Sequence, residues 1–228
     1  MTTSSSERRT AILKAATRLF EHYGHGKTTI ADVAREAQVG VGTVYLEFDS
    51  KEAIVQELSL STHVGVLDAM RSASEAGADP AHRLSAVLEA RTRCFLELGR
   101  RGQHACELLH CKTEGVRAAH QRFKEQEREL FEAIIRDGQS AGVFATSESS
   151  TTLAALVQRA FVSLAPPSIF GPDDDAARAS RDLCRLLLNG LLAKNSAALV
   201  ESKSPSARTS STTKKPTSTA TQKARRAR

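Results

Sequence analysis

Cys106, His110 and Cys111 are the residues whose types and spacing come nearest to suggesting chemistry. Cys106 and His110 stand four apart, so a helix would set both on one face, within reach of one metal ion. Cys111 would point elsewhere, and a fourth ligand would have to come from His104 or His120. Zinc sites carry tighter paired spacing, and a buried, inert thiol is the default for such cysteines. A metal site and a thiol sensor are therefore the minor readings, and no metal or other cofactor is expected. The sequence holds no Ser/His/Asp signature, no Gly-rich phosphate loop and no HExxH, so no enzyme activity is expected either.

A second stretch offers recognition rather than catalysis. Thr29 to Phe48, TIADVAREAQVGVGTVYLEF, reads as two short helices joined by a tight turn. Ile30, Val33, Ala34 and Ala37 give the first helix one apolar face. Thr28 or Thr29 can cap its start, and Asp32 can answer Thr29 in a capping box. Gln38-Val39-Gly40 is too short for any other element. Gly40 then suits the N-cap of a second helix with an apolar series at Val41, Val44 and Phe48. Such a pair forms a helix-turn-helix, whose second helix can enter a DNA major groove.

The surroundings sharpen this. From Arg9 to Leu58 the chain resembles the DNA-binding domain of the tetracycline-repressor (TetR) family of bacterial transcription regulators. The residues that carry the resemblance are ILKAATRLFEHYG (Ile12 to Gly24), Thr28-Thr29, ADVAREA, VGTVYLEF and SKEAI (Ser50 to Ile54). Gln38 stands where the family usually has Gly, and Gly40 where it has Ser or Thr. Glu47 stands near where a base or aromatic is frequent, which argues against a phosphate contact there.

The resemblance implies that a recognition helix of about Val41 to Glu47 lies in the major groove of a double-stranded operator. Tyr45 would donate to a phosphate, and Thr43 would reach a phosphate or a thymine methyl. Gly42 would let the backbone come close. Val41, where Lys or Arg is common, would make only apolar contact. Thr28 and Thr29 would hold a phosphate with the amides of the helix they open, Lys51 would pair with another, and Lys27 joins the DNA-facing set. The plain alternatives are Thr29 as a cap, Tyr45 as a half-buried core ring and Lys51 as a solvated charge.

The resemblance also implies a C-terminal helical domain that binds a small-molecule effector and forms a homodimer. Dimerisation would use the last two long helices, about 149–165 and 173–198. Leu153, Leu156, Ala160, Phe161, Leu183, Leu187 and Leu191 are the interface candidates, with intramolecular core as the alternative. A pocket between the middle helices would be lined from Phe95, Leu98, Leu109, Phe123, Phe131 and Phe161, although apolar residues at helical spacing are more often core.

Composition sets the bounds. The 228 residues suffice for one or two domains. No apolar run approaches the roughly 18 residues of a membrane span. The start MTTSSSERRT lacks an apolar signal core, and four irregularly spaced Cys do not form a disulfide framework, so a cytoplasmic protein is expected, nucleoid-associated when on DNA. The net charge of +6 is uneven: residues 201–228 hold eight Lys/Arg and one Glu, or +7, leaving −1 for the rest. A DNA-binding face must then be local.

Helical periodicity runs through the rest of the chain, without strand alternation. Ser4 with Glu7 can cap a first helix whose inner face is Ile12, Ala16, Leu19, Phe20 and Tyr23, ended by Gly24 and Gly26. A fourth helix from Ser50 to about Ser74 would be the one element joining the head to the remainder. Helices are expected over Arg83–Leu98, Gln103 to about Lys112 and Val116–Ser140, with a bend at Gly115 and a stop set by Gly138 and Gly142. Another follows Ser149 or Ser150 and ends at Pro166-Pro167. Asp173, Asp174 and Asp175 suit the start of the last.

The expected architecture is all-α with about nine helices. A three-helix DNA-binding domain spans 6–66 with its motif at 29–48. An effector-binding and dimerisation domain spans 67–200, and a disordered basic tail spans 201–228. The expected function is a ligand-responsive transcription regulator, a repressor on a palindromic operator. A DNA-coating protein assisted by the tail, or an all-helical enzyme, are the alternatives.

Overall fold

Nine α-helices and one short 3-10 helix make up the described residues of this computed structural model, which are 5–76, 79–110, 113–166 and 176–192. Residues 201–228, Ser4, Cys111, Pro167 and Asp173–Asp175, on which some of the expectations rest, lie outside them. The model is all-helical: its single β-bridge, Phe144 with Leu192, belongs to no strand among the described residues. No helix there is long and apolar enough to cross a membrane.

The head is built from α1 (Ser5–Tyr23), α2 (Ile30–Glu36), α3 (Val41–Glu47) and the start of α4 (Lys51–Glu75). Ile12, Ala16, Phe20, Val33, Val44, Phe48, Ile54 and Leu58 meet in one apolar cluster. Tyr23 is a correction: it faces outward and packs only edge-on against His22. Gly24, at φ +83, stops α1 as a left-handed C-cap, a conformation that only glycine adopts without cost. Thr29 and Asp32 form the expected capping box, and the Ser50 hydroxyl accepts from Ala53 N to start α4. Gln38 sits at φ +57 in the turn, so it takes the left-handed conformation without being glycine.

The body is made of the rest of α4 with α5 (Pro80–Arg101), α6 (Glu107–His110), α7 (Glu114–Ser140), α8 (Ser150–Ala160), the 3-10 helix Phe161–Leu164 and α9 (Ala176–Leu191). A second apolar cluster fills it, with Leu67, Met70, Leu84, Leu88, Phe131, Ile134 and Phe161 fully buried or nearly so. α5 packs on α4 and α9, and α7 packs on α4 and α8.

Several expected boundaries move. α5 begins at Pro80, capped by Asp79, because proline lacks the amide that a first turn leaves unpaired. It passes through Gly99 to Arg101. The helix expected over 103–112 begins only at Glu107 and runs through His110, where the described residues pause. Gly115 lies inside α7, capped by Thr113, and not at a bend. Gly138 does not stop α7 either; the Phe144 ring lies where a Cβ would be, so a side chain there would displace it. The α-helical part of α8 ends at Ala160, ahead of Pro166.

Candidate DNA-binding face and effector cavity

α3 is held to the head by its inner residues and by its end. Val44 and Phe48 are buried, which turns the opposite side outward. Glu47 clamps the end: its carboxylate accepts from Ser5 Oγ at 2.9 Å and Arg8 Nε at 3.3 Å, and its carbonyl accepts from Arg9 Nη1 at 2.6 Å. Arg9 also pairs with Glu57 and lies 4.1 Å over the Phe48 ring. The one acid of α3 thus works inward, tying it to α1.

The outward side carries Val41, Gly42, Tyr45 and Leu46, all exposed, with Thr43 half-buried. Tyr45 is 53% exposed, and nothing lies within 4 Å of a Cβ at Gly42. Val41 shares the apolar series with Val44 and Phe48 but faces outward, 44% exposed, on the side expected to meet DNA. Leu46, at 86% exposure, was not singled out in the sequence. Its signal was a leucine two residues past the inner Val44, off the helix's buried stripe.

The residues flanking the motif divide. Lys27 and Thr29 are exposed, and the Thr29 hydroxyl donates to Asp32 at 2.6 Å, holding that carboxyl below its usual range. Thr28 is a correction. It is 3% exposed, and its hydroxyl donates to Gly24 O at 2.9 Å beneath the end of α1, so it has no access to DNA. Lys51 is half-buried and tethered: Nζ donates to His25 O at 2.9 Å and Thr28 O at 3.0 Å, tying α4 to the α1–α2 loop. One of its three protons remains for a phosphate.

In the body, a cavity of about 240 Å³ lies among α4, α5, α6, α7 and α8. Of the expected liners, Phe95, Leu109 and Phe123 reach it. Leu98 lines a separate cleft beside α1, and Phe131 and Phe161 are fully enclosed in the core, so these three are corrected. The polar liners His63, Arg91, His120, Lys124, Glu127 and Gln158 were missed. Three of them stand at inner spacing, which was the available signal: His63 four before Leu67, Arg91 four before Phe95, Glu127 midway between Phe123 and Phe131.

The floor of the cavity is a buried ion pair. Arg91 Nε donates to Glu127 Oε1 at 2.5 Å, and Arg91 Nη1 to Leu164 O at 3.0 Å. Gln158 Nε2 completes it, donating to Glu127 Oε2 at 2.8 Å. His63 is 2% exposed, with Nδ1 2.9 Å from Ser59 O and its ring 5.0 Å from that of Phe123. Burial pushes its pKa down to about 4. Cys106 is half-buried in the turn ahead of α6 and His110 exposed at the end of α6; burial raises the Cys106 pKa, which keeps the thiol protonated and weakly reactive.

Head and body meet at more than α4, which corrects the expectation of a single joining helix. Leu108 of α6 belongs to the head's apolar cluster while its neighbour Leu109 lines the cavity. Glu107 Oε2 accepts from His25 N at 3.1 Å, and His104 N donates to Glu21 O at 2.9 Å. Gly102 sits so close to the Glu21 carbonyl that no Cβ would fit between them.

Of the expected interface residues, Leu153, Phe161 and Leu191 are buried in the protomer's own core and are corrected. Ala160, Leu183 and Leu187 are half-buried. Leu156 is 53% exposed.

Comparison with known proteins places this geometry. The family model for bacterial regulatory proteins of the tetR family matches residues 12–58. The chain is 26% identical over 152 residues to the uncharacterized HTH-type transcriptional regulator YhgD of Bacillus subtilis (strain 168), covering 65% of this chain and 78% of that one. It is 35% identical over 112 residues to the HTH-type transcriptional regulator TtgR of Pseudomonas putida, 48% of this chain and about half, 52%, of TtgR. Its fold is similar to that of the transcriptional regulator FadR from Bacillus subtilis in complex with stearoyl-CoA, with TM-score 0.64 and 17% identity over 80% of this chain and 98% of that one. With the helix-turn-helix, its outward face and these likenesses together, residues 12–58 are a DNA-binding domain of the tetR family of bacterial regulatory proteins, and the chain is a DNA-binding transcriptional regulator.

Proposed function

We propose that the protein is a cytoplasmic repressor that binds a palindromic operator as a homodimer and leaves it when a small molecule fills the cavity among α4–α8. The observation that carries the DNA reading is the outward face of α3. Tyr45 and Thr43 offer hydrogen bonds to phosphate, Val41 and Leu46 offer apolar contact to thymine methyls, and Gly42 leaves the backbone open to close approach. Lys27 and the remaining proton of Lys51 flank that face. One seven-residue helix reads few base pairs, so two copies about 34 Å apart, one turn of DNA, are needed for useful specificity.

The dimer reading is supported by apolar side chains left exposed on the last helices: Leu156 on α8, Val162 just after it and Leu186 on α9. Leu183, Leu187 and Ala160, half-buried in one protomer, would be covered in two. The effector reading is supported by the cavity's place. It touches α4 through His63 and α6 through Leu109, and both helices contact the head. A ligand that displaces Leu109 moves Leu108 and Glu107 against α1 and the His25 loop. It then shifts the population toward a head spacing that fits the operator less well. The protein's work is binding rather than catalysis.

Footprinting on the protein's own upstream DNA tests the reading. A regulator protects one short palindrome in register. Unregistered protection spreading along the DNA would instead support a DNA-coating protein assisted by the basic residues of 201–228.

A further inference from the structure

The effector's chemical class follows from which charges of the cavity are already taken. Both oxygens of Glu127, the one carboxylate there, are engaged by Arg91 and Gln158. Arg91 is in turn engaged by Glu127 and the Leu164 carbonyl. Lys124 lines the same cavity and makes no ion pair among the described residues. Two imidazoles, His63 and His120, stand beside it with ring centroids 5.6 Å apart. Since His63 Nδ1 faces the Ser59 carbonyl, it carries the ring proton, and Nε2 is left as a bare acceptor. The rest of the wall is apolar: Phe95, Leu109, Phe123 and Val162.

We propose, building on the reading of this cavity as the effector site, that the effector is a small amphipathic acid. Its apolar body, aromatic or branched, lies against Phe95, Phe123 and Val162. Its carboxylate is received by Lys124 and the two imidazoles. A cation would meet a carboxylate whose charge Arg91 already neutralises, and beside it the unpaired Lys124 ammonium. A purely apolar ligand would make no use of that ammonium, which belongs to an exposed residue beside the cavity. The cavity's 240 Å³ falls below the roughly 300–1,000 Å³ of drug-sized sites and holds about a dozen non-hydrogen atoms at interior packing density. A coenzyme A thioester is far larger than this.

The imidazoles give the acid a pH signature. Burial holds His63 low, opposed by its hydrogen bond to the Ser59 carbonyl and helped by His120 across from it. Burial also holds His120 low, helped by Lys124, Arg91 and His110 and opposed by Glu127. Both rings are neutral at neutral pH. A carboxylate placed between them favours the charged ring, so an imidazole takes up one proton from solvent as the ionised acid binds. Acid affinity therefore rises as pH falls.

Calorimetric titration of the full chain with 3-phenylpropanoate, its primary amide and 3-phenylpropan-1-amine, at about pH 6 and about pH 8, tests this. The acid should bind at least about tenfold tighter than the amide, the amine should not bind, and only the acid should tighten at the lower pH with net proton uptake. Lys124→Gln should lose about tenfold in acid affinity and leave the amide unchanged. Phe95→Trp, which fills the cavity, should abolish binding. An amide or amine that binds as well as the acid, or acid affinity indifferent to Lys124→Gln, overturns the class while the cavity stands. Acid binding that survives Phe95→Trp shows that this cavity is not the site, and the effector reading falls with it. Failure of the acid at millimolar concentration, with or without binding of stearoyl-CoA, also overturns the proposal.

Discussion

Breaking the Arg91–Glu127 pair from either side should cost the protein a large share of its stability, and removing both partners should cost much less. Both side chains are almost fully buried, at 4% and 2% exposure, so neither can recover hydration when its partner is removed. Arg91→Met leaves the Glu127 carboxylate with Gln158 alone. Glu127→Leu leaves the guanidinium with one firm carbonyl acceptor, Leu164 O. Each single change leaves a buried charge uncompensated, at about 3–5 kcal/mol. The double replacement removes both charges, and its cost reduces to unpaired Gln158 and Leu164 groups, about 1–3 kcal/mol in all. The coupling energy is then several kcal/mol, well above the few tenths expected of independent sites. Urea unfolding of all four proteins at one fixed concentration gives the cycle. Glu127→Gln, which keeps the shape and one of the two acceptor oxygens, serves if a single variant fails to fold. Singles that each cost under about 1 kcal/mol and simply add would refute the reasoning. They would mean that water reaches the pair and that the cavity has no rigid floor.

Three further outcomes are expected. His63 has a folded pKa of about 4 against 6.5 unfolded, so below neutrality the unfolded chain binds the extra proton. Stability from this residue is full above about pH 6.5 and is lost as pH falls toward 4, on the order of 3 kcal/mol in total; His63→Gln should flatten that limb of the stability–pH curve. Glu107→Gln should weaken the hydrogen bond from His25 N and the contact of Glu107 Oε1 with His104 Nδ1, 2.7 Å away. It should leave effector affinity near wild type while reducing how far effector lowers operator affinity, and an unchanged effector response in a gel-shift titration would show that α6 does not carry the signal. Truncation after Val200 removes seven net positive charges and should flatten the salt dependence of operator binding, by about 0.9 in slope for each phosphate the shortened chain no longer neutralises, without changing operator preference. An unaltered slope would mean those residues do not touch DNA.

Local chemistry was what the sequence made legible. Thr29 with Asp32, Ser50 and Ser149 were readable as caps because capping needs only a side-chain oxygen two or three residues ahead of the amide it serves. Inner faces such as Ile54, Leu58, Leu67 and Met70 of α4 were readable from spacing alone. What spacing could not supply was the partner across the fold. Thr28 and Thr29 are adjacent and alike, yet one is sealed under α1 and the other open, a difference set by the turn after Gly24. Leu108 and Leu109 diverge in the same way, one to the head and one to the cavity. A charge at inner spacing does not name its counter-charge, which hid Arg91 and Glu127, thirty-six residues apart in the chain and paired in space. Lys51 deceived likewise: its carbonyl partners belong to a loop whose path no periodicity encodes.

The central claim is that the outward face of α3 binds DNA, and Tyr45→Phe tests it most directly. The ring is half-exposed, and the hydroxyl makes no hydrogen bond among the described residues, so the substitution should leave the melting temperature unchanged. Operator affinity per folded molecule should fall by about 1 kcal/mol, roughly fivefold, the scale of one net hydrogen bond to phosphate. A lowered melting temperature with unchanged operator affinity per folded molecule would make Tyr45 a structural residue and contradict the account.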